Sequence, residues 1–142
     1  MKVVQDLLKK LPKSSHDHES VQKYKKELMT ISLNQTKQSA NGSVMSAIFY
    51  FQFQLECAGK TFNGKGGGFS SPGGGALFGD VYCENMPAFE TLFRDTVSFQ
   101  FNCTPVYTSL LFFNSSSQLL GHFQSGSVST VLGVGGGSGS WE

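Results

Sequence analysis

Two imidazoles and a carboxylate stand within three residues at His16-Asp17-His18, and a third imidazole, His122, lies far away in an apolar stretch. A metal site at the first cluster needs further ligands converging on the ion, and none stands nearby in sequence, so a solvated segment is the reading the spacing supports. His122 serves catalysis only if a nucleophile is presented to it. No GxSxG elbow occurs, and no cysteine has a recognisable catalytic setting. A hydrogen-bonded structural histidine is therefore expected, with a hydrolase using His122 as the enzymatic alternative. Cys57, Cys83 and Cys103 are odd in number and lack CxxC spacing, which points to buried free thiols rather than disulfides or zinc ligands. The runs Gly66-Gly67-Gly68, Gly73-Gly74-Gly75 and Gly135-Gly136-Gly137 suggest a phosphate cradle. However, Gly64-Lys65-Gly66 lacks the following Ser or Thr of a P-loop, and no run opens a helix after a strand. The acids form no spaced pair that reads as a glycosidase dyad. No catalytic, metal-binding or cofactor-binding residue is assigned, and a protein without enzymatic activity is expected.

The elements around these residues divide the chain in two. All 17 glycines and all 13 phenylalanines follow Asn41. Before that point Lys2, Lys9, Lys10, Lys13, Lys23, Lys25, Lys26 and Lys37 outnumber Asp6, Asp17, Glu19 and Glu27. After it Lys60, Lys65 and Arg94 are outnumbered by Glu56, Asp80, Glu84, Glu90, Asp95 and Glu142. A basic arm thus precedes a mildly acidic body. The body has no Arg/Lys stripe to neutralise phosphates, so nucleic acid is not an expected partner. Met1–Asp6 carries no apolar segment of signal-peptide type, and the most apolar run, Val44 to Leu55, is too short to span a bilayer as a helix.

In the arm, Val3, Val4, Leu7, Leu8 and Leu11, then Val21, Tyr24, Leu28 and Ile31, recur at helical spacing. The polar stretch from Ser32 to Ser43 reads as a linker, giving an arm over 1–43 and a β domain over 44–142. From Val44 the period becomes two. Met45, Ala47, Phe49, Phe51, Phe53 and Leu55 share one face of a long strand; Val97, Phe99, Phe101 and Cys103 share one face of another. Short strands are expected near Lys60–Phe62, Gly68–Ser70 and Ala76–Tyr82. Asn114–Ser117 reads as a turn, with strands at Gln118–Gln124 and Ser127–Val134 around Ser125-Gly126. One helix is expected at Met86–Phe93, capped by Asn85, with Pro87 in its first turn and Arg94-Asp95 as an ion pair at its exit. Pro105–Phe113 is apolar on both faces, which marks Leu110, Leu111, Phe112 and Phe113 as the candidate surface contact. About eight short strands with frequent turns imply an all-β sandwich or closed barrel.

Several segments together resemble the virulence-associated (Vap) family of rhodococcal intracellular pathogens. They are Gly67-Gly68-Phe69-Ser70-Ser71-Pro72-Gly73, Phe78-Gly79 and Phe93-Arg94-Asp95-Thr96-Val97-Ser98-Phe99. Phe112-Phe113-Asn114-Ser115-Ser116, Leu120-Gly121-His122, Ser125 to Val131 and Gly133 to Trp141 continue the match in order. The resemblance implies an eight-stranded antiparallel closed barrel of Greek-key type with a filled interior, behind a flexible or helical N-terminal arm. It also implies secretion and action on the host phagocyte vacuole, with host endolysosomal membrane lipid or a membrane protein as partner, and no established catalytic residues. The three cysteines and the missing signal segment depart from the family pattern. A monomer is expected. A lipid carrier of barrel type is the alternative, and it requires an empty interior.

Overall fold

The computed structural model describes residues 35–142, so the arm's helical stripes and His16-Asp17-His18 lie outside the described residues. Eight strands follow: β1 Thr36–Ser46, β2 Tyr50–Cys57, β3 Lys60–Ser70, β4 Gly73–Cys83, β5 Ser98–Cys103, β6 Tyr107–Phe113, β7 Leu119–Ser129 and β8 Gly133–Trp141. One helix, α1 Met86–Asp95, separates β4 from β5. The strands close into an antiparallel barrel in the order β1-β2-β3-β8-β5-β6-β7-β4. Within it, β4-β1-β2-β3 and β8-β5-β6-β7 are two successive Greek keys, each a three-stranded meander whose fourth strand returns beside the first.

The closure depends on glycine facing phenylalanine. On β3, Gly64, Gly66 and Gly68 pair across the ladder with Gly139, Gly137 and Gly135 of β8. A Cβ on Gly64 would lie 2.6 Å from the Phe99 ring, and one on Gly139 would lie 2.6 Å from Phe62. The space these positions leave is taken by Phe51, Phe53, Phe62, Phe99, Phe101 and Phe112 from the neighbouring strands. The rings meet edge-on, with centroids 5.6 Å apart for Phe53–Phe99 and 5.0 Å for Phe62–Phe112. Each is almost wholly buried and contributes about 1.5–3 kcal/mol of hydrophobic stabilisation. The interior is filled, as expected.

Both mouths of the barrel are closed, by different means. At one, the hairpin end, the β3–β4 and β7–β8 crossovers run against each other. The Ser71 N–H donates to the Leu132 carbonyl at 3.0 Å, the Leu132 N–H to Ser71 Oγ at 2.9 Å, and the Gly74 N–H to Thr130 Oγ1 at 3.3 Å. Val131 is wholly buried beneath them. At the other, α1 buries Phe89 and Leu92, and Trp141 packs against Phe62, Phe93 and Phe112. Asn85 Oδ1 caps the helix by accepting the Ala88 N–H at 3.0 Å, and Thr96 Oγ1 donates to the Leu92 carbonyl at 2.6 Å. Arg94 and Asp95 form the expected ion pair at 2.9 Å.

Four expectations need correction. The stretch read as a linker is β1, which begins at Thr36, so the barrel starts eight residues before Val44. The single strand over Val44–Leu55 is a hairpin that turns at Ala47–Phe49, which leaves Met45 and Phe49 outside rather than on the core face. Ser125-Gly126 is not a turn, because β7 runs straight through it, with Gly126 paired to both Phe78 and Tyr107. The strand expected over Ser127–Val134 is instead the end of β7 and the start of β8, with a crossover between them, and β8 runs on through the glycine-rich stretch to Trp141.

Candidate functional site

The apolar strand β6 does not offer the contact surface expected of it. Leu110 and Phe112 point into the core, Leu111 and Phe113 point outward, and none of the four is more than 7% exposed. Exposed apolar side chains gather at the hairpin end instead. The connections β1–β2, β3–β4, β5–β6 and β7–β8 all lie there, since Tyr50 pairs with Gly67, Ser70 and Cys103 both pair with Gly133, and Tyr107 pairs with Gly126. Met45, Phe49 and Val106 are 64%, 68% and 62% exposed, with Ile48 and Tyr50 nearly half exposed beside them. No Asp, Glu, Lys or Arg occurs from Gln38 to Leu55, from Gly66 to Gly79 or from Thr96 to Trp141. Among the described residues this end is therefore both apolar and uncharged.

Its tip is built against backbone preference. Ile48 adopts φ 65°, the left-handed region in which a β-branched side chain is crowded by its own backbone. The turn is fixed by the Ala47 N–H donating to the Tyr50 carbonyl at 2.7 Å and the Phe49 N–H to the Ala47 carbonyl at 2.8 Å. Glycine is the residue such a hairpin ordinarily prefers at that first central position. Isoleucine and phenylalanine here present apolar surface at a local conformational cost, and strain of this kind tends to mark functional segments.

The outer wall carries a second feature. Successive outward rows across β4, β7 and β6 are Phe78–Gly126–Tyr107, Asp80–Gln124–Ser109 and Tyr82–His122–Leu111. Phe78, Asp80, Tyr82, Tyr107, Gln124 and Gly126 line a groove of about 290 Å³ there. Beneath it runs a polar chain with one consistent direction. The His122 Nε2–H donates to Gln35 Oε1 at 2.8 Å, which leaves Nδ1 to accept from Gln124 Nε2 at 3.2 Å. Gln124 Oε1 in turn faces Tyr107 Oη at 3.5 Å. His122 also stacks on Tyr82, with ring centroids 5.1 Å apart. Burial drives its pKa down to about 3, so it is a neutral structural group whose nitrogens bond amides rather than a thiol or carboxylate.

The family model for Rhodococcus equi virulence-associated protein matches residues 1–142. The chain belongs to this family. Among solved structures, it is similar to virulence-associated protein VapB from the intracellular pathogen Rhodococcus equi, with 41% identity and a TM-score of 0.69 over 76% of this chain and 97% of that one. It is also similar to virulence-associated protein VapD from the same pathogen, with 34% identity and a TM-score of 0.70 over 77% of this chain and 99% of that one. Comparison with curated proteins gives no match. On this family barrel the three cysteines are free and buried, as expected. Burial pushes the Cys57 thiol up to about 11 and Cys83 up to about 12, and raises Cys103, whose Sγ lies 3.0 Å from Thr108 Oγ1. They are protonated packing groups rather than nucleophiles at neutral pH. Sequence reasoning missed the hairpin-end cluster because its tip contains no Gly, Pro, Asn or Asp to announce a turn.

Proposed function

We propose that this member of the family acts without catalysis, by laying the uncharged hairpin end of its barrel against host membrane lipid. The observation that carries the reading is the Ile48-Phe49 tip, flanked by Met45, Tyr50 and Val106 on a face that has no charged residue among the described ones. Partial insertion of three such side chains gives on the order of 5 kcal/mol before the costs of association, enough for reversible binding. No charge has to be desolvated for the tip to enter, and its turn hydrogen bonds travel with it. The likeness to virulence-associated proteins of an intracellular pathogen supports secretion and a site of action at the host phagocyte vacuole.

Co-sedimentation of the full chain with vesicles of phosphatidylcholine and anionic lipid tests this. The double substitution Ile48→Ser, Phe49→Ser is expected to abolish the binding that survives high salt, while circular dichroism stays unchanged. Undiminished binding by that variant sinks the hairpin-end assignment. If the unsubstituted chain binds no vesicle composition, a host membrane protein replaces lipid as the partner.

A further inference from the structure

The outer surface of the barrel is not wetted evenly. On β1, β2 and β3 the outward side chains stand in water, among them Asn41, Ser43, Gln54, Glu56 and Lys65. The equivalent positions on the other half of the wall do not. Tyr82, Asn102, Ser109, Leu111, Phe113 and His122 occupy adjoining outward rows of β4, β5, β6 and β7, and none is more than 7% exposed. A bare antiparallel face does not bury leucine and phenylalanine to this degree, because its side chains have neighbours only within their own plane. The barrel wall is a single layer, and α1 sits at its mouth against β4, β7 and β8.

We propose that this half of the wall is the docking surface for the chain's own N-terminal segment, residues 1–34, received through the stripe Val21, Tyr24, Leu28 and Ile31. Three observations choose this occupant. The first is where the segment joins the barrel. The His122 Nε2–H donates to Gln35 Oε1 at 2.8 Å, so the chain before residue 35 sets out from the middle of the buried face. Ile31 lies four residues before that anchor, at most ~14 Å of extended chain, and Leu111 is one strand, about 4.8 Å, beyond His122. The second is pattern. Steps of three, four and three residues are those that place four apolar side chains on one side of a helix, and such a stripe requires an apolar face to cover it. Leu111 and Phe113 provide that face. The third is charge. Residues 1–34 hold seven lysines against four acids, while Asp80 and Glu84 lie along the β4 edge of this wall. The outward side of β6, marked by its sequence as a contact surface, thus receives the arm rather than a host partner. This assignment is independent of the lipid-contact reading, which concerns the hairpin end.

Thiol labelling of the full chain tests it, since Cys57, Cys83 and Cys103 are buried and react slowly. Ser109→Cys puts a thiol on the covered half of the wall and Gln54→Cys puts one on the bare half. With a maleimide probe located by mass spectrometry, Ser109→Cys is expected to react at least about a hundredfold more slowly than Gln54→Cys. Adding Tyr24→Asp and Leu28→Asp is expected to speed labelling at Ser109→Cys at least about tenfold and to leave Gln54→Cys unmoved. Equal rates at the two positions before the stripe is altered overturn the proposal, and so does protection that survives the stripe substitutions. Protection lost on dilution would assign the cover to a second copy of the chain, which also overturns it. A measurement on the unsubstituted chain stands apart from any folding defect in these variants. Nuclear Overhauser contacts from the Leu111 methyls to those of Leu28 or Ile31 are expected, and their absence sinks the assignment.

Discussion

The two ends of this barrel solve the same problem with opposite materials. At the helix end, the mouth is stopped by Phe89 and Leu92 of α1 and by Trp141, while Glu84, Glu90, Arg94 and Asp95 face water around them. Its β2–β3 turn uses Ala58-Gly59, both at positive φ, the pairing that a two-residue hairpin favours. At the hairpin end the mouth is stopped from within by Val131 and the paired crossovers, and the outermost residues are Ile48, Phe49 and Val106. At the helix end Phe89, Leu92 and Trp141 complete the core, whereas Ile48, Phe49 and Val106 at the tip of the hairpin end stand largely exposed. The difference teaches that the seal and the contact surface are separable on this scaffold, with stability invested at one end and exposure at the other.

The largest expected effect breaks the comparison most directly. Trp141→Ala removes a ring packed on Phe62, Phe93 and Phe112 and is expected to cost about 3–5 kcal/mol. Phe49→Ala, which deletes a comparably large ring from the opposite end, is expected to stay within about 0.5 kcal/mol of the parent. Urea unfolding of the two variants decides between them. Equal destabilisation would show that the tip supports the core and that the two ends are not divided as described.

What the sequence made legible follows the same division. Helix α1, its Asn85 cap and the alternation of Phe99, Phe101 and Cys103 were readable because each is a local pattern with a local cause. The Greek-key barrel came from the family resemblance rather than from periodicity. Strand β1 was hidden because its inward side alternates Gln38, Ala40, Gly42 and Val44, too little apolar surface to show a period of two. Strand β8 was hidden because its inward positions before Trp141 are glycines, and the rings packed on them, Phe62 of β3 and Phe101 of β5, are distant in sequence. The candidate contact at Leu110–Phe113 failed for a related reason. A strand apolar on both faces is equally consistent with exposure and with cover, and only tertiary structure decides.

A second, smaller effect concerns the wall between the ends, in the third nearer the helix. His122 titrates at about 3 when folded, against an ordinary value of 6.5. The folded state therefore holds the neutral ring while the unfolded chain takes up a proton first. The stability this confers is fully present above pH 6.5 and is lost as the pH falls from there toward 3. At pH 5 the loss is about 2 kcal/mol, one and a half pH units at 1.36 kcal/mol each. Denaturant midpoints between pH 7.5 and 4.5 should show this slope, and His122→Gln should flatten it. A slope unchanged in that variant would assign the acid sensitivity to the carboxylates around the helix end, and would remove the wall from the account.

The smallest expected effect sharpens the comparison, because it runs in the direction opposite to the usual one. Ile48 holds φ 65° with a branched Cβ, a conformation that costs about 1–2 kcal/mol in an L-residue and that asparagine tolerates far better. Ile48→Asn is therefore expected to raise stability by about 1 kcal/mol, since the tip loses strain and gives up no core contact. If the hairpin end exists for contact, the same substitution should weaken vesicle binding, because it replaces an exposed apolar side chain with a polar one at the point of entry. Urea midpoints and co-sedimentation on one preparation measure both quantities. A variant that is more stable and binds less well identifies the strain as the cost of an apolar tip. A variant that loses stability would mean that Ile48 makes packing contacts that offset its backbone, and the hairpin end would then resemble the helix end more closely than its exposure suggests.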